Sequence, residues 1–137
     1  MATETCCTVE FRVQTSRKCQ VVDITPLVEE AVKKSGVTDG LCAVYVAHTT
    51  AAVTVNENAD PNIGEDILEA LERLIPEGIW RHDQVDDNAA AHIKAALLGP
   101  SETIPVRNGK LQLGTWQAVL LFEFDGPRDR QLLVTLR

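Results

Sequence analysis

Three histidines, His48, His82 and His92, are the side chains of this sequence best suited to shared chemistry. A zinc site that does chemistry often has three protein ligands and leaves a fourth position for water or substrate, and neutral imidazole is a frequent ligand. No H-E-x-x-H motif places two of the histidines on one helix. Two interpretations stay open: a joint metal site, or separate roles in which His48 is a hydrogen-bonded core residue, His82 is solvated and His92 covers the sheet.

Carboxylates at the ends of predicted strands form a second candidate set. Glu123 and Asp125 share one face of their strand by the two-residue period, and Glu57 ends another strand. A buried acidic pair is costly unless it meets a cation or a proton. Arg128, which follows a tight turn, is the candidate counter-ion. The alternative is that each of these groups is a solvated surface carboxylate.

Strand-like segments must position these residues. The stretch "LCAVYVAH" (41–48) is apolar on both faces, which favours a central strand that delivers His48 to its end. The dipeptide Asn108–Gly109 predicts a tight hairpin turn. Further β-like runs, of which the first two are expected to form a hairpin, occupy 8–13, 20–24, 52–57, 115–124 and 131–136.

Periodic apolar residues predict helices over 25–36, 60–75 and 88–99. The first two begin with a capping residue followed by proline, at Thr25 and Asp60. Short turns between neighbouring strands favour antiparallel pairing. We therefore expect one α+β domain over residues 1–137, with a mostly antiparallel sheet and two to three helices.

The third predicted helix carries chemistry on one face. Asn88 and His92 are four residues apart, so both side chains lie on the same side of that helix. The preceding segment, 79–88, has no apolar period and is interpreted as the loop that carries His82.

Composition excludes several classes of protein. The 137-residue chain has a net charge of −7 and no run of basic residues, which argues against nucleic-acid binding. No apolar run is long enough to span a bilayer and no basic leader precedes one, so we expect a cytoplasmic protein without membrane partners. No cysteine pair has C-x-x-C spacing, and free thiols are expected at Cys6, Cys7, Cys19 and Cys42.

Several strings, taken in order, resemble the YjbQ-like family, often described as secondary thiamine-phosphate synthases. They are "HTTAAVTVNENADP", "N-x-x-A-H-I-K-A-A-L-L-G-P-S", "GTWQ" and "FEFDGPRDR", and together they run over almost the whole chain. The resemblance implies an α+β fold and a homotrimer with a polar pocket near subunit boundaries. The matching positions are His48, Asn56, Glu57, His82, Asn88, His92, Ser101, Trp116, Gln117, Glu123, Asp125 and Arg128.

The resemblance also implies roles for these positions. The three histidines are expected to hold a divalent metal, zinc or magnesium, and Ser101, Trp116 and Gln117 are expected to bind the ligand. The expected catalytic residues are His48, Asn56, Glu57, Asn88, Glu123, Asp125 and Arg128. One departure is Ala90, since many members carry a polar or acidic residue two positions before the helix histidine.

The implied activity is a weak transfer of a hydroxymethylpyrimidine diphosphate to a thiazole phosphate, so the partner is a small phosphorylated or heteroaromatic substrate. Metal and basic side chains would stabilise the departing diphosphate. Two alternatives remain. One is a metal-dependent hydrolase, with Glu57 or Glu123 as base, and the other is a noncatalytic trimeric ligand-binding module.

Overall fold

Two antiparallel sheets and three α-helices make up the part of the chain, residues 7–137, that this computed structural model describes. The larger sheet has the order β1-β8-β3-β5-β6 and the smaller sheet the order β2-β7-β4. The strands are β1 Cys7–Gln14, β2 Gln20–Asp23, β3 Gly40–Val46, β4 Ala51–Glu57, β5 Ser101–Arg107, β6 Lys110–Leu111, β7 Gln117–Glu123 and β8 Asp129–Leu136. The helices are α1 Thr25–Ser35, α2 Asn62–Leu74 and α3 Ala89–Leu98. The predicted α+β class is confirmed.

The smaller sheet is the middle layer. Its central strand β7 is buried on both faces. Val119 and Leu121 pack toward α1 and the larger sheet, whereas Leu120 and Phe122 pack against α2 and α3. The layers are therefore the larger sheet with α1, the smaller sheet, and the α2–α3 pair, with a separate apolar cluster on each side of β7.

The predicted hairpin between the first two strands is wrong. β1 pairs along its whole length with β8, while β2 pairs with β7 in the other sheet. Between the two strands, Thr15 is 2% exposed, whereas residues 16–18 are exposed. The connection from the larger to the smaller sheet therefore begins at a buried threonine and continues over the surface.

Aspartates begin the first two helices. The amide of Thr25, the first residue of α1, donates to Asp23 Oδ1 at 2.9 Å, and the amide of Asn62, the first residue of α2, donates to Asp60 Oδ1 at 2.9 Å. Neither residue predicted as an N-cap holds that position, because the N-cap of α1 is Ile24 and that of α2 is Pro61. Asp60 still accepts the first amide of its helix, whereas the Thr25 hydroxyl accepts the amide of Val119 at 2.8 Å.

A buried ion pair joins the two sheets. Glu123 of β7 is fully buried and Arg130 of β8 is 2% exposed. Arg130 Nε donates to Glu123 Oε1 at 2.8 Å and its Nη2 donates to Oε2. Glu123 also accepts the Thr15 hydroxyl at 2.8 Å and the Asp125 amide at 3.0 Å, while Arg130 donates to the Thr50 hydroxyl at 2.8 Å. The carboxylate thus has four donors, which offset its removal from water.

Gly126, in the turn after β7, lies close to this ion pair. A Cβ at this position would lie 2.2 Å from the carbonyl oxygen of Arg17, 2.8 Å from Glu123 Cγ and 2.9 Å from Thr15 Oγ1. No side chain fits in that space. The turn that follows β7 can therefore approach the ion pair only with glycine here.

Two further predictions concern the cysteines and membrane-spanning segments. Cys7, Cys19 and Cys42 are free thiols, as expected, and Cys6 lies outside the described residues. Over residues 7–137, no helix is both long and apolar enough to cross a membrane.

Breaking the buried pair should strongly destabilise the fold. Glu123→Gln leaves the Arg130 guanidinium charged and buried without its carboxylate, so the free energy of unfolding should fall by about 3–5 kcal/mol. Urea denaturation followed by circular dichroism measures it. The matched control is Glu69→Gln, which removes an exposed ion pair with Arg73 and should change the free energy by less than about 0.5 kcal/mol. Equal losses in the two variants would contradict the assignment.

Candidate functional site

A polar cavity of about 720 Å³ lies where three segments meet. The segments are the β3–β4 turn with His48 and Thr49, the start of α3 with Asn88 and His92, and the turn that connects β7 to β8. This volume is in the range of small-molecule sites, roughly 300–1,000 Å³. We call this cavity the polar pocket; it is lined chiefly by His48, Thr49, Asp86, Asn88, His92, Asp125, Arg128 and Asp129.

His48 is held in one protonation state. The backbone amide of Gln131 donates to His48 Nε2 at 2.8 Å. An amide only donates, so Nε2 must carry its lone pair and the ring proton of the neutral imidazole must sit on Nδ1. Burial, and then the positive charge of Arg130, lower the pKa of His48 below its ordinary value. His48 is therefore a neutral side chain whose one ring N–H is a hydrogen-bond donor.

Asp125 organises the opposite wall. It accepts from Asn88 Nδ2 at 2.9 Å and from Arg128 Nη2 at 3.0 Å, and its carbonyl oxygen accepts Arg128 Nε at 2.8 Å. Partial burial opposes ionisation of Asp125, but the hydrogen bonds from Asn88 and Arg128 outweigh it and the pKa lies below its ordinary value. The counter-ion role predicted for Arg128 applies to Asp125, which is ionised and fixes the direction of the guanidinium.

His92 lies at the centre of this region. It borders the polar pocket and two smaller neighbouring cavities, and among residues 7–137 its side chain makes no hydrogen bond. Its ring contacts that of His82 edge to face, with centroids 4.9 Å apart. The imidazole of His92 is thus available for proton exchange with a ligand.

Two buried polar atoms lack partners within the described part of the chain. Asn88 Oδ1 and His82 Nε2 accept or donate no hydrogen bond, although His82 Nε2 lies 3.3 Å from Asp86 Oδ2. A buried polar atom without a partner is costly. Of the two residues, only Asn88 lines the polar pocket, so Asn88 Oδ1 marks a position where a ligand or water supplies the missing bond.

The predicted catalytic residue Glu123 does not line the pocket. Its carboxylate is sealed between the sheets by Arg130, because β7 ends at Glu123 and only the turn beyond it reaches solvent. Asp125 lies in that turn and does line the pocket. The shared strand face predicted for the two carboxylates is wrong, and Glu123 positions the pocket from beneath.

Five other predicted site residues lie elsewhere. Asn56 and Glu57 end β4, opposite the start of β7, whereas the polar pocket adjoins the other end of β4. That strand spans about 20 Å at roughly 3.3 Å per residue. The remaining three are on the surface outside the pocket: Ser101, Trp116 and Gln117.

The three histidines do not fit a shared metal site in this arrangement. Within residues 7–137, no three side chains of the ligand types His, Cys, Asp and Glu come together in a way that could hold an ion. The lone pair of His48 already accepts the Gln131 amide, and a metal ligand needs that lone pair free. His82 and His92 are adjacent to each other. Zinc or magnesium binding stays a prediction, without a structural set of ligands.

Sequence reasoning missed several residues that build the pocket. Arg130 lies beneath it, and Asp86 and Asp129 border it. The signal for Arg130 was available, because the two-residue period of β8 puts it on the same inward face as Leu132 and Val134. Asp86 has no such signal, since its loop has no apolar period.

Comparison with known proteins identifies relatives from a single family. The family model described as "UPF0047 protein YjbQ-like" matches residues 9–137. The chain is 44% identical to UPF0047 protein MJ1081 of Methanocaldococcus jannaschii over 93% of this chain and 91% of that protein. It is 38% identical to UPF0047 protein YugU of Bacillus subtilis over 92% of this chain and 96% of that one.

Solved structures have the same fold. A crystal structure of a YbjQ-like protein of unknown function from Sulfolobus solfataricus P2 matches with a TM-score of 0.92 and 43% identity, covering 96% of both chains. An uncharacterized conserved protein of the YjbQ/UPF0047 family from Clostridium acetobutylicum matches with a TM-score of 0.91 and 49% identity, covering 94% of this chain and 99% of that one.

These findings correct the expected activity. The related proteins are described only as UPF0047 proteins, or as proteins of unknown function, and none is described as a transferase. The thiamine-phosphate synthase activity expected from the resemblance is therefore wrong as an assignment for this chain. A proposal about function therefore has to rest on the residues of the polar pocket.

The contact with Gln131 predicts the behaviour of His48 in solution. His48 should be the neutral Nδ1–H tautomer at neutral pH, because Nε2 accepts the Gln131 amide. Its pKa should lie below the ordinary value of 6.5, because burial and then the positive charge of Arg130 disfavour the charged ring. Since the folded-state pKa is the lower one, this contribution to stability is present above pH 6.5 and is lost as the pH falls below it. Long-range ¹H–¹⁵N NMR over a pH series measures the tautomer and the pKa of His48. The signals are assigned by comparison with the His48→Gln variant. A proton on Nε2 at neutral pH would contradict the assignment.

Proposed function

Because the chain belongs to the UPF0047 protein YjbQ-like family, whose members' descriptions name no reaction, we propose a function from the polar pocket alone. The pocket binds a small phosphorylated molecule and carries out acid–base chemistry on it. The observation that carries this proposal is the pairing of a locked donor, His48 Nδ1–H, with an unbonded imidazole, His92, in one cavity.

The anionic group of the ligand belongs at the His48–Arg128 side. His48 offers a donor that stays neutral, and Arg128 offers the N–H groups that Asp125 does not use, on a side chain that is 53% exposed. Thr49 adds an exposed hydroxyl. Guanidinium and imidazole donors suit the oxygens of a phosphate group.

The rest of the ligand meets acceptors. Asn88 Oδ1 has no partner within residues 7–137, and the carboxylates of Asp86 and Asp129 lie at the pocket wall. Carboxylates repel a second phosphate and accept from hydroxyl or amino groups. The ligand is therefore a compound with one phosphate and several hydrogen-bond donors, such as a small phosphorylated alcohol or amine.

His92 is the proposed catalytic residue. Imidazole is the side chain used most often as a general acid or base, and His92 has no structural hydrogen bond that fixes its proton. His82 packs edge to face against it. The enzyme class implied is proton transfer to or from a group next to the bound phosphate.

The anion-binding half is tested with inorganic phosphate as the probe. In ¹⁵N-labelled protein at constant ionic strength, phosphate should shift the amide signals of His48, Thr49 and Arg128 saturably. Arg128→Gln should weaken binding at least fivefold, because it removes the charged donor. The control Arg73→Gln, on the exposed face of α2, should bind phosphate normally. Shifts that are absent, or unchanged by Arg128→Gln, would reject this half of the proposal.

The catalytic half is tested with a panel of phosphorylated small molecules followed by ³¹P NMR. Conversion of one member should fall by about 10²–10⁴-fold in His92→Gln, while its affinity changes little. Binding without any conversion across the panel, or conversion that survives in His92→Gln, would contradict the catalytic role and leave a ligand-binding module.

We also propose that the protein is a homotrimer, as the family resemblance implies. The outer face of the larger sheet supports association, because Leu41 is 54% exposed and Tyr45 is 44% exposed on the same face of β3. Light scattering should return three times the chain mass, and Tyr45→Glu should lower it. A single-chain mass for the unmodified protein would reject the trimer.

A further inference from the structure

A second cavity lies on a different part of the molecule. It has a volume of about 430 Å³ and is enclosed by α1, by the β5–β6 turn and by the segment that leads into β7. It shares no residue with the polar pocket. We call it the α1 cleft; the residues used below are Glu29, Val32, Lys33, Lys110, Leu113 and Gln117.

The cleft combines an apolar wall with positive charge. Val32, 3% exposed, and Leu113 pack against the main core beneath it. Lys33 and Lys110 line it and form no ion pair within residues 7–137, although Glu29 lies in the same cleft. Lys34, the next residue of α1, pairs with Glu30 at 3.1 Å outside the cleft. Two lysines against one glutamate make this cleft a positive site on a chain whose net charge is −7.

Gln117 adds an oriented neutral donor. Its Oε1 accepts the amide of Gly114 at 2.7 Å, which fixes which end of the side-chain amide carries hydrogens. Its Nε2 makes no hydrogen bond within the described part of the chain. The family resemblance implies that Gln117 binds a ligand, and the structure places it in this cleft, far from the histidines.

We propose that the α1 cleft binds a small monocarboxylate with an apolar tail. The carboxylate lies between Lys33 and Lys110 and accepts from Gln117 Nε2, and the tail packs on Val32 and Leu113. A single negative charge matches the lining, because Glu29 opposes a ligand with more charge. The volume is in the usual range for a small ligand, roughly 300–1,000 Å³. This site is independent of the phosphorylated ligand proposed for the polar pocket.

The test uses octanoate as the probe, with 1-octanol for comparison. In ¹⁵N-labelled protein, octanoate should shift the amide signals of Lys33, Gly109 and Lys110 saturably and leave those of His48 and Thr49 unchanged. The uncharged alcohol should bind at least tenfold more weakly. Octanol that binds as tightly as octanoate, or no saturable shift at these amides, would overturn the proposal.

Variants separate the two lysines from general charge effects. The double variant Lys33→Gln, Lys110→Gln should bind octanoate at least tenfold more weakly, whereas Lys34→Gln, a substitution of the same kind on the neighbouring residue, should bind it normally. An unchanged affinity in the double variant, or an equal loss in Lys34→Gln, would reject carboxylate recognition by this cleft. Phosphate binding at His48 is read from other signals, so either site can fail without the other.

Discussion

The ion pair between Glu123 and Arg130 is the interaction on which the candidate site depends. Glu123 belongs to the smaller sheet and Arg130 to the larger one, so the pair fixes the two sheets relative to each other. Arg130 also donates to the hydroxyl and carbonyl of Thr50, which holds the β3–β4 turn, and Glu123 accepts the amide of Asp125, which holds the β7–β8 turn. Two of the three segments that form the polar pocket, the β3–β4 turn and the β7–β8 turn, are therefore held by one buried charge pair.

Two neighbouring carboxylates have different roles: Glu123 stabilises the fold, and Asp125 lines the polar pocket. Glu123 is sealed with four donors, and its ionisation serves the fold. Asp125, two residues later, is partly buried and reaches the pocket, where it orients Asn88 and Arg128. Thr15 connects the two levels, because its hydroxyl donates to Glu123 and accepts the backbone amide of Arg128 at 2.9 Å. A buried pair of this kind contributes position more than net stability.

Local sequence patterns predict much of the fold but only part of the candidate site. The helix over 88–99, the free thiols and the turn at Asn108, where φ is 52°, follow from side-chain periodicity and turn chemistry, and these are short-range effects. The partner of β1 is β8, more than a hundred residues away, and no local pattern specifies that pairing. The family resemblance groups Asn56 and Gln117 with the histidines, although β4 and β7 carry them to the far end of the sheet. Sequence order cannot supply that distance without the strand register.

Gly126 has a consequence for how this site can change. The carbonyl of Arg17, Glu123 Cγ and Thr15 Oγ1 leave no room for one more carbon there, so the bend after β7 admits no variation in side chain. Thr49, by contrast, is exposed at the rim, and its side chain makes no hydrogen bond within residues 7–137. Mutational libraries and natural drift alike should alter ligand preference at this rim position while the bend stays fixed, which separates what this pocket recognises from how it is held.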